Sequence, residues 1–285
     1  MKIISIESSN DEKAHKILQI TCDSYIIETG VFDDGDDVHI CISSQIGCPI
    51  GCKMCYNGLK ETYQRNLSDK EIIEQVVNVV EKLKLETSYK HIWFSFMGVG
   101  EPLLNTNNVI NAIHYLDNKY SACRFALATT VPKISEIYKL TEEMNKVSNF
   151  KLTISLHSAI DEKRKILIPC HKSLEYLREA MEYFKTNSKH RYEWNYVLLK
   201  NFNDTNYDYE CLLKFLISND RIKISSYNSI DLGNFEKSSI ERYNLLHHLL
   251  DENNIYNSKF DSVGDSINVG CGQMASKKME KIRRK

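Results

Sequence analysis

The sequence predicts an α/β protein built as an incomplete (β/α)6 barrel. Strand-like and helix-like segments alternate from residue 37 onwards and make six strand-then-helix steps. Parallel neighbouring strands need a crossover connection, which the helices supply. The 285 residues suit one large domain. Because a closed barrel of this kind has eight steps, six steps predict an open barrel whose active site lies at the carboxyl ends of the strands.

Apolar runs place the elements in chain order. Strands are predicted at residues 38–42, 91–97, 124–130, 151–157, 192–199 and 221–227. Apolar residues at helical spacing predict helices at residues 72–83, 109–116, 134–144, 174–184, 207–217 and 240–250. Ser68 and Glu71 form a capping-box pattern ahead of the first of these helices. The predicted organisation is a short N-terminal extension (1–36), a partial barrel (37–260) and a C-terminal segment (261–285).

Composition limits the classes of function. The formal net charge is -1, so any contact with nucleic acid must come from a local patch. The cysteines number nine, an odd count, and a chain of this length does not need disulfides to fold. The sequence shows no secretory leader, and its longest apolar run, near residues 92–99, is too short to span a bilayer. A cytoplasmic protein without membrane contact is expected, with cysteines that are free, metal-bound or catalytic.

Three cysteines lie close together on the loop after the first predicted barrel strand. Cys48, Cys52 and Cys55 have the spacing Cys-x3-Cys-x2-Cys, and three such thiolates can hold a 4Fe–4S cluster. A fourth local cysteine is missing, which would leave one iron open to a ligand. Zinc is the alternative, but a structural zinc site normally closes with four ligands, and no second cysteine pair lies nearby.

Other polar residues follow predicted strands. Gly100 and Glu101 follow the second strand, where glycine lets the backbone approach a ligand and Glu101 can receive an ammonium group. An ordinary turn explains them equally well. Ser155 and His157 end the fourth strand and are compatible with a polar barrel rim. Cys41 and Cys271, taken alone, are compatible with inert cysteines.

The cysteine spacing resembles the radical SAM superfamily, whose members use a 4Fe–4S cluster and S-adenosylmethionine (SAM). Further blocks resemble, in order, the RlmN/Cfr family of RNA methyltransferases within that superfamily. They are Cys41-Ile-Ser-Ser-Gln-Ile-Gly-Cys48, Arg65-Asn-Leu67, Met97-Gly-Val-Gly-Glu-Pro-Leu-Leu-Asn105, Ser155-Leu-His157 and Gly270-Cys-Gly-Gln273. The resemblance covers nearly the whole chain, from about Glu28 to Met274.

The resemblance implies cofactors, partners and a reaction. It places the cluster on Cys48, Cys52 and Cys55, and SAM on Gly100, Glu101, Ser155, Leu156, His157 and Asn228. It implies methylation of an sp2 carbon of adenosine in ribosomal or transfer RNA, the 2 carbon first. The 8 carbon is the alternative within the family; a non-RNA substrate and a non-enzymatic metal-binding module are the alternatives outside it. A small reducing protein such as flavodoxin is the expected electron donor, and a monomer is expected.

Two further cysteines have roles implied by the same resemblance. Cys271 takes a methyl group from one SAM, for which a thiolate is needed. A radical made from a second SAM removes hydrogen from that methyl group, and the resulting methylene radical adds to the adenine. Cys41 then attacks the Cys271 sulfur, so that a disulfide forms and the product leaves. Glu28 is the implied proton acceptor.

The chain also departs from the family pattern. Only forty residues precede Cys41, so the family's helical N-terminal domain is expected to be missing or reduced to a short strand-rich cap. Ala128 stands where the family usually has a serine that contacts SAM, and residues 261–264 lack a common arginine. A basic tail at residues 277–285 is expected near the active-site mouth, where it would meet phosphates or remain a solvated end.

Overall fold

One mixed β-sheet organises the computed structural model, which describes residues 1–60, 63–230, 232–260 and 264–278. The strands are β1 (Lys2–Ser8), β2 (Ala14–Ile20), β3 (Tyr25–Asp34), β4 (Asp37–Cys41), β5 (Gln45–Ile46), β6 (Arg65–Asn66), β7 (His91–Phe96), β8 (Cys123–Thr129), β9 (Phe150–Ser155), β10 (Arg191–Leu198), β11 (Arg221–Ser226), β12 (Tyr256–Phe260) and β13 (Ser276–Lys278). The helices are α1 (Tyr56–Lys60), α2 (Asp69–Leu83), α3 (Leu85–Ser88), α4 (Thr106–Lys119), α5 (Ile134–Met144), α6 (Asp161–Leu167), α7 (Leu174–Asn187), α8 (Asn206–Phe215) and α9 (Ile240–Glu252).

The order of the strands confirms the predicted α/β fold class. The sheet runs β1-β2-β3-β4-β7-β8-β9-β10-β11-β12, with β13 paired to β3. Neighbours from β4 to β12 are parallel, and all six predicted barrel strands are among them. Within the described residues, β12 does not pair back to β4, so the parallel sheet stays open. None of the described helices is long and apolar enough to cross a membrane.

The first 34 residues continue this sheet on its β4 side. Strands β1, β2 and β3 pair antiparallel in turn, and β3 pairs antiparallel with β4. Strand β13 pairs with the other part of β3, with Ser276 opposite Ile27 and Lys278 opposite Tyr25. The N-terminal and C-terminal segments are therefore joined to the barrel strands by backbone hydrogen bonds.

Helix α2 begins where the capping pattern predicts. The Ser68 hydroxyl accepts a hydrogen bond from the Glu71 amide at 3.2 Å, and the Glu71 carboxylate accepts one from the Ser68 amide at 2.9 Å. Arg65 donates to Glu71 and to Asp23, each at 2.8 Å, which ties the start of α2 to the turn before β3. The helix ends at Lys84, which has a left-handed backbone.

Alternation along the strands separates a core face from a polar lumen. Phe94 of β7 and Phe125 of β8 are fully buried, and their ring centroids lie 5.6 Å apart on the face that the helices cover. Burying such a side chain contributes about 1.5–3 kcal/mol. The residues next to them in the strands face the lumen, where polar side chains can meet. Such side chains include Ser95, Thr153, Asn195, Lys223 and Ser225.

Candidate active site

The three clustered cysteines lie on the loop from β5 to α1 and line one cavity of about 210 Å³ at the carboxyl ends of the strands. The Lys53 amide donates to the Leu167 carbonyl at 2.8 Å, which fixes this loop against α6. A side chain at Gly58 would place its Cβ 2.2 Å from the Cys52 carbonyl oxygen. The tight turn therefore requires glycine at this position.

The donor set suits an iron–sulfur cluster better than zinc. Burial raises the pKa of Cys48 to about 12, and burial also raises the pKa values of Cys52 and Cys55. Such thiols ionise only when a cationic group compensates the charge. Thiolates around one tetrahedral zinc ion lie about 3.8 Å apart. Among the described residues, these three sulfur atoms do not all lie within 4.8 Å of one another, which is wider than a zinc site needs.

Glu101 lies buried in the wall of the same cavity. Its carboxylate accepts hydrogen bonds from the Thr129 hydroxyl at 2.6 Å, the Thr130 amide at 2.8 Å and the Leu103 amide at 3.1 Å. Burial raises the pKa of Glu101, whereas these hydrogen bonds oppose the rise. Gly100 precedes it with φ 112°, and a Cβ there would lie 2.7 Å from the Gln45 side chain. The carboxylate is thus held rigidly in the wall of the cavity.

The end of β9 brings Ser155 and His157 to the cavity wall. His157 Nδ1 accepts a hydrogen bond from the Val197 amide at 3.1 Å, so Nε2 carries the proton in the neutral ring. Burial, together with the charges of Arg164 and Lys223, lowers the pKa of His157 to about 3. Leu156 differs from its neighbours, because its fully buried side chain belongs to the core. Its carbonyl oxygen is held by the Arg164 guanidinium.

Asn228 lies in the cavity wall but holds the loop that carries Cys271. Its side-chain amide donates to the Cys271 carbonyl at 3.1 Å. Two other bonds fix the same loop: the Tyr56 amide donates to the Gly272 carbonyl at 2.9 Å, and the Asn57 side chain donates to the Met274 carbonyl at 2.7 Å. The loop after residue 269 is therefore fastened directly to the first turn after Cys55.

Cys271 lies where two cavities meet. It lines the 210 Å³ cavity together with the cluster cysteines. It also lines a second cavity of about 300 Å³, whose walls include Cys41, Phe32 and Phe260. The second cavity lies between β4 and β12, at the open edge of the parallel sheet. The structure thus brings Cys41 and Cys271, which are 230 positions apart in sequence, to one space.

Glu28 does not line either cavity. It is buried on β3, and its carboxylate accepts a hydrogen bond from the Ala275 amide at 2.8 Å. The Lys16 ammonium lies 3.8 Å from the same carboxylate. In this arrangement Glu28 anchors the loop that follows Cys271.

Several cavity residues are not identified by motif. Lys223 and Ser225 of β11, Asn195 of β10, and Thr129 and Thr130 after β8 all line the first cavity. For Lys223, Ser225 and Asn195, the signal that could have located them is the two-residue alternation of each strand, which turns every second side chain into the lumen. Two segments lie outside the described residues. They are residues 261–263, where the sequence departs from the family pattern, and the basic tail from residue 279.

An open parallel sheet with three thiols and a buried carboxylate at its carboxyl end defines a radical SAM enzyme. The profile of the radical SAM superfamily matches residues 42–208, and the chain belongs to this superfamily. Its cofactors are a 4Fe–4S cluster and SAM. The three thiols, the wide spacing of their sulfur atoms and the adjoining cavity fit such a cluster and its ligand.

Curated relatives define the family more closely. A "probable dual-specificity RNA methyltransferase RlmN" of Christiangramia forsetii is 34% identical over 90% of this chain and 73% of its own length. A protein of the same description from Flavobacterium johnsoniae is 32% identical over 98% of this chain and 80% of its own. A solved radical SAM methyltransferase from Sphaerobacter thermophilus superimposes with a TM-score of 0.88 at 26% identity, covering 96% of this chain and 80% of that chain. The chain is a radical SAM methyltransferase of the RlmN family.

Proposed function

We propose that this protein methylates an sp2 carbon of adenosine, the 2 carbon, in ribosomal or transfer RNA through a methylated cysteine. The observation that carries the proposal is the position of Cys271 between the cluster cavity and the cavity of Cys41. A cysteine that must first receive a methyl group on one side and then be attacked on the other needs this position. The RNA methyltransferase names of the relatives support the substrate class.

Each side chain of the first cavity has a proposed role in binding. Cys48, Cys52 and Cys55 hold the cluster, which supplies the electron for radical formation from SAM. Glu101 receives the SAM ammonium group. Ser155, the Nε2 proton of His157 and the backbone of Gly100 and Leu156 orient the rest of the ligand, whereas Asn228 places the Cys271 loop against it.

The second half of the proposal assigns the resolving step to Cys41. Its thiolate attacks the Cys271 sulfur of a covalent Cys271–RNA adduct. A sulfur–sulfur bond forms, the sulfur–carbon bond breaks, and its electron pair goes to the product carbon, which takes up a proton. Glu28 is the proposed proton acceptor of the reaction. A small reducing protein such as flavodoxin is the proposed electron donor, acting on a monomer in the cytoplasm.

Two cysteine variants test the assignment. Cys271→Ala should still cleave SAM but should form neither methylated RNA nor an RNA adduct. Cys41→Ala should accumulate the covalent adduct, because no thiolate remains to release it. The anaerobically reconstituted enzymes are incubated with reductant, SAM and unmodified RNA, and the adduct is measured by gel shift and peptide mass spectrometry. Normal turnover by Cys41→Ala would contradict the resolving role.

Nucleoside analysis of the digested RNA tests the target. Methyladenosine substituted at the 2 carbon is expected, and substitution at the 8 carbon would place the protein in the other branch of the family. Methylation of Cys271 with no RNA product or adduct, across ribosomal and transfer RNA preparations, would reject RNA as the substrate. Cys22→Ala, at an exposed cysteine that lines neither cavity, is the matched control.

A further inference from the structure

Cys41 and Cys271 are protonated thiols before the reaction begins. Burial raises the pKa of Cys41, and burial also raises the pKa of Cys271, although the Cys271 side chain is open to the cavity. Only the thiolate is a nucleophile. The first methyl transfer therefore needs a group beside Cys271 that can take its proton.

The carboxylates and the histidine near the site are already engaged. Glu28 is bound to the Ala275 amide and lines neither cavity. Glu101 accepts bonds from two threonine hydroxyls, and its carboxylate is fixed by them. His157 Nδ1 is bonded to the Val197 amide. None of these groups is placed to take a proton from Cys271.

Lys223 differs from these groups in its position between the two cavities. It lies on β11 opposite Asn195 of β10, with its side chain in the lumen, and only 9% of the residue is exposed. It lines the same cavity as Cys271. Its amine lies 4.7 Å from the centre of the Phe260 ring, which itself lines the Cys41 cavity. Lys223 thus lies at the boundary between the two cavities.

No described residue uses the hydrogen-bonding capacity of the Lys223 amine. Its nearest acidic group is Glu193, whose Oε1 lies 3.9 Å away, beyond hydrogen-bond distance. That oxygen already forms an ion pair with the Lys151 ammonium at 3.0 Å and accepts a hydrogen bond from the Thr153 hydroxyl at 3.1 Å. Within the described part of the chain, the Lys223 amine makes no hydrogen bond to any residue. The amine is therefore able to interact with a group in the cavity.

The charges around Lys223 favour exchange of a proton. Burial lowers the pKa of Lys223, Glu193 raises it and Lys151 lowers it. The Lys223 charge in turn lowers the pKa of both thiols. The titratable groups that face it are Glu193, Lys151, His157, Cys41 and Cys271.

We propose that Lys223 is the proton acceptor for Cys271, an inference that rests on the proposed role of Cys271 as methyl acceptor. The Cys271 sulfur–hydrogen bond breaks and a nitrogen–hydrogen bond forms on the neutral Lys223 amine. The thiolate electron pair then forms the sulfur–carbon bond to the methyl group. The methyl–sulfonium bond of SAM breaks, and its electron pair stays on the S-adenosylhomocysteine that leaves. The ammonium returns its proton to solvent before the next methyl transfer.

Three variants test the proposal on the cluster-loaded enzyme. Lys223→Met removes the proton acceptor with little change in shape. Lys223→Arg keeps the positive charge, but on a guanidinium group that cannot accept a proton. Lys139→Met is the control, since Lys139 is exposed on α5 and lines neither cavity. Two rates are followed against pH by peptide mass spectrometry: methylation of Cys271 by SAM carrying a deuterated methyl group, and alkylation of unmethylated Cys271 by iodoacetamide.

Both Lys223 variants should lower the two rates at neutral pH by about a hundredfold, the usual effect of removing a general base. The rates should recover at high pH, where hydroxide takes the proton, and Lys139→Met should match the unchanged protein. Full activity of Lys223→Arg, or an unchanged pH profile for Lys223→Met, would overturn the proposal. An absence of Cys271 methylation in the unchanged protein would instead reject the methyl-acceptor role, and the alkylation rates would still decide the role of Lys223.

Discussion

At the scale of single residues, burial sets the chemistry of the site more than sequence spacing does. The sequence indicated the three clustered cysteines, Glu101 and His157 because each stands in a recognisable block at a strand end. It could not show that Glu101 would be fixed by two threonines, since Thr129 and Thr130 come from a neighbouring strand. Contacts of this kind depend on strand order, which spacing alone does not encode.

His157 makes folding stability sensitive to acid. Burial lowers its pKa to about 3, whereas an unfolded histidine titrates near about 6.5. As the pH falls below that value the unfolded chain binds a proton that the folded protein does not, so the stability is lost at about 1.4 kcal/mol per pH unit. We expect His157→Gln to reduce the stability lost between about pH 7 and pH 5 by about 2 kcal/mol. Urea unfolding at both pH values measures this.

His248→Gln is the control for that measurement. His248 is exposed on α9 and lines neither cavity, so its replacement shows what the loss of a surface histidine does by itself. An equal acid sensitivity in His157→Gln and in the unchanged protein would show that the ring is not held neutral.

Two variants of Glu28 distinguish a structural role of this residue from a catalytic one. Its carboxylate accepts the Ala275 amide, and glutamine can accept the same bond whereas alanine cannot. We therefore expect Glu28→Gln to preserve, and Glu28→Ala to lose, the protection of residues 270–275 in hydrogen–deuterium exchange. RNA methylation is measured alongside: an inactive Glu28→Gln with a protected loop supports the proton-acceptor role, whereas an active one identifies Glu28 as a loop anchor alone.

At the scale of elements, the strongly periodic segments were predicted well and the short or polar ones were missed. Helix α5 has the predicted bounds, and the six predicted strands all occur. Strand β12, which reads Tyr-Asn-Ser-Lys-Phe, was missed because an edge strand with polar residues lacks a continuous apolar run. Helix α6 was missed because its seven residues, five of them charged, bury only Arg164 and Leu167.

The start of α2 gives a test at this scale. Ser68 caps the helix within a capping box, whereas Ser173 caps α7 by a single hydroxyl contact to the Tyr176 amide at 3.2 Å. We expect Ser68→Ala to cost about 1 kcal/mol or more, the upper part of the usual range, because the Glu71–Arg65–Asp23 contacts depend on the same turn. Ser173→Ala is the matched variant and should cost less. Equal losses in urea unfolding would show that the box adds nothing.

At the scale of the whole molecule, the chain ends complete the active site. Strand β3 pairs with β4 through Gly30 and Cys41, and it also receives β13 from the C-terminal segment. The segments before and after the barrel are thus held together beside Cys41. Sequence patterns could not predict this, because pairing between residues some 250 positions apart leaves no local periodicity.

The pairing of β13 also determines where the basic tail begins. Lys278 lies opposite Tyr25, five residues along β3 from the Gly30–Cys41 pair and beyond the carboxyl end of β4. Five strand residues span about 17 Å, so Lys278 lies on the active-site side of the sheet. Residues 279–285 carry Lys281, Arg283, Arg284 and Lys285 against Glu280. We expect these charges to meet the phosphates of the RNA that the proposed function requires.

We therefore expect deletion of residues 279–285 to weaken RNA binding and to flatten its dependence on salt. Each phosphate that the tail no longer neutralises should reduce the slope of log affinity against log salt by about 0.7–0.9. The choice of target adenosine should not change, because phosphate contacts position an RNA without reading its sequence. Filter binding at several salt concentrations measures the slope, and replacement of the four basic residues by glutamine at full length separates charge from chain length. A slope unchanged in both variants would show that the tail does not contact the RNA, and the charges that bind it would then have to lie around the cavity mouths themselves.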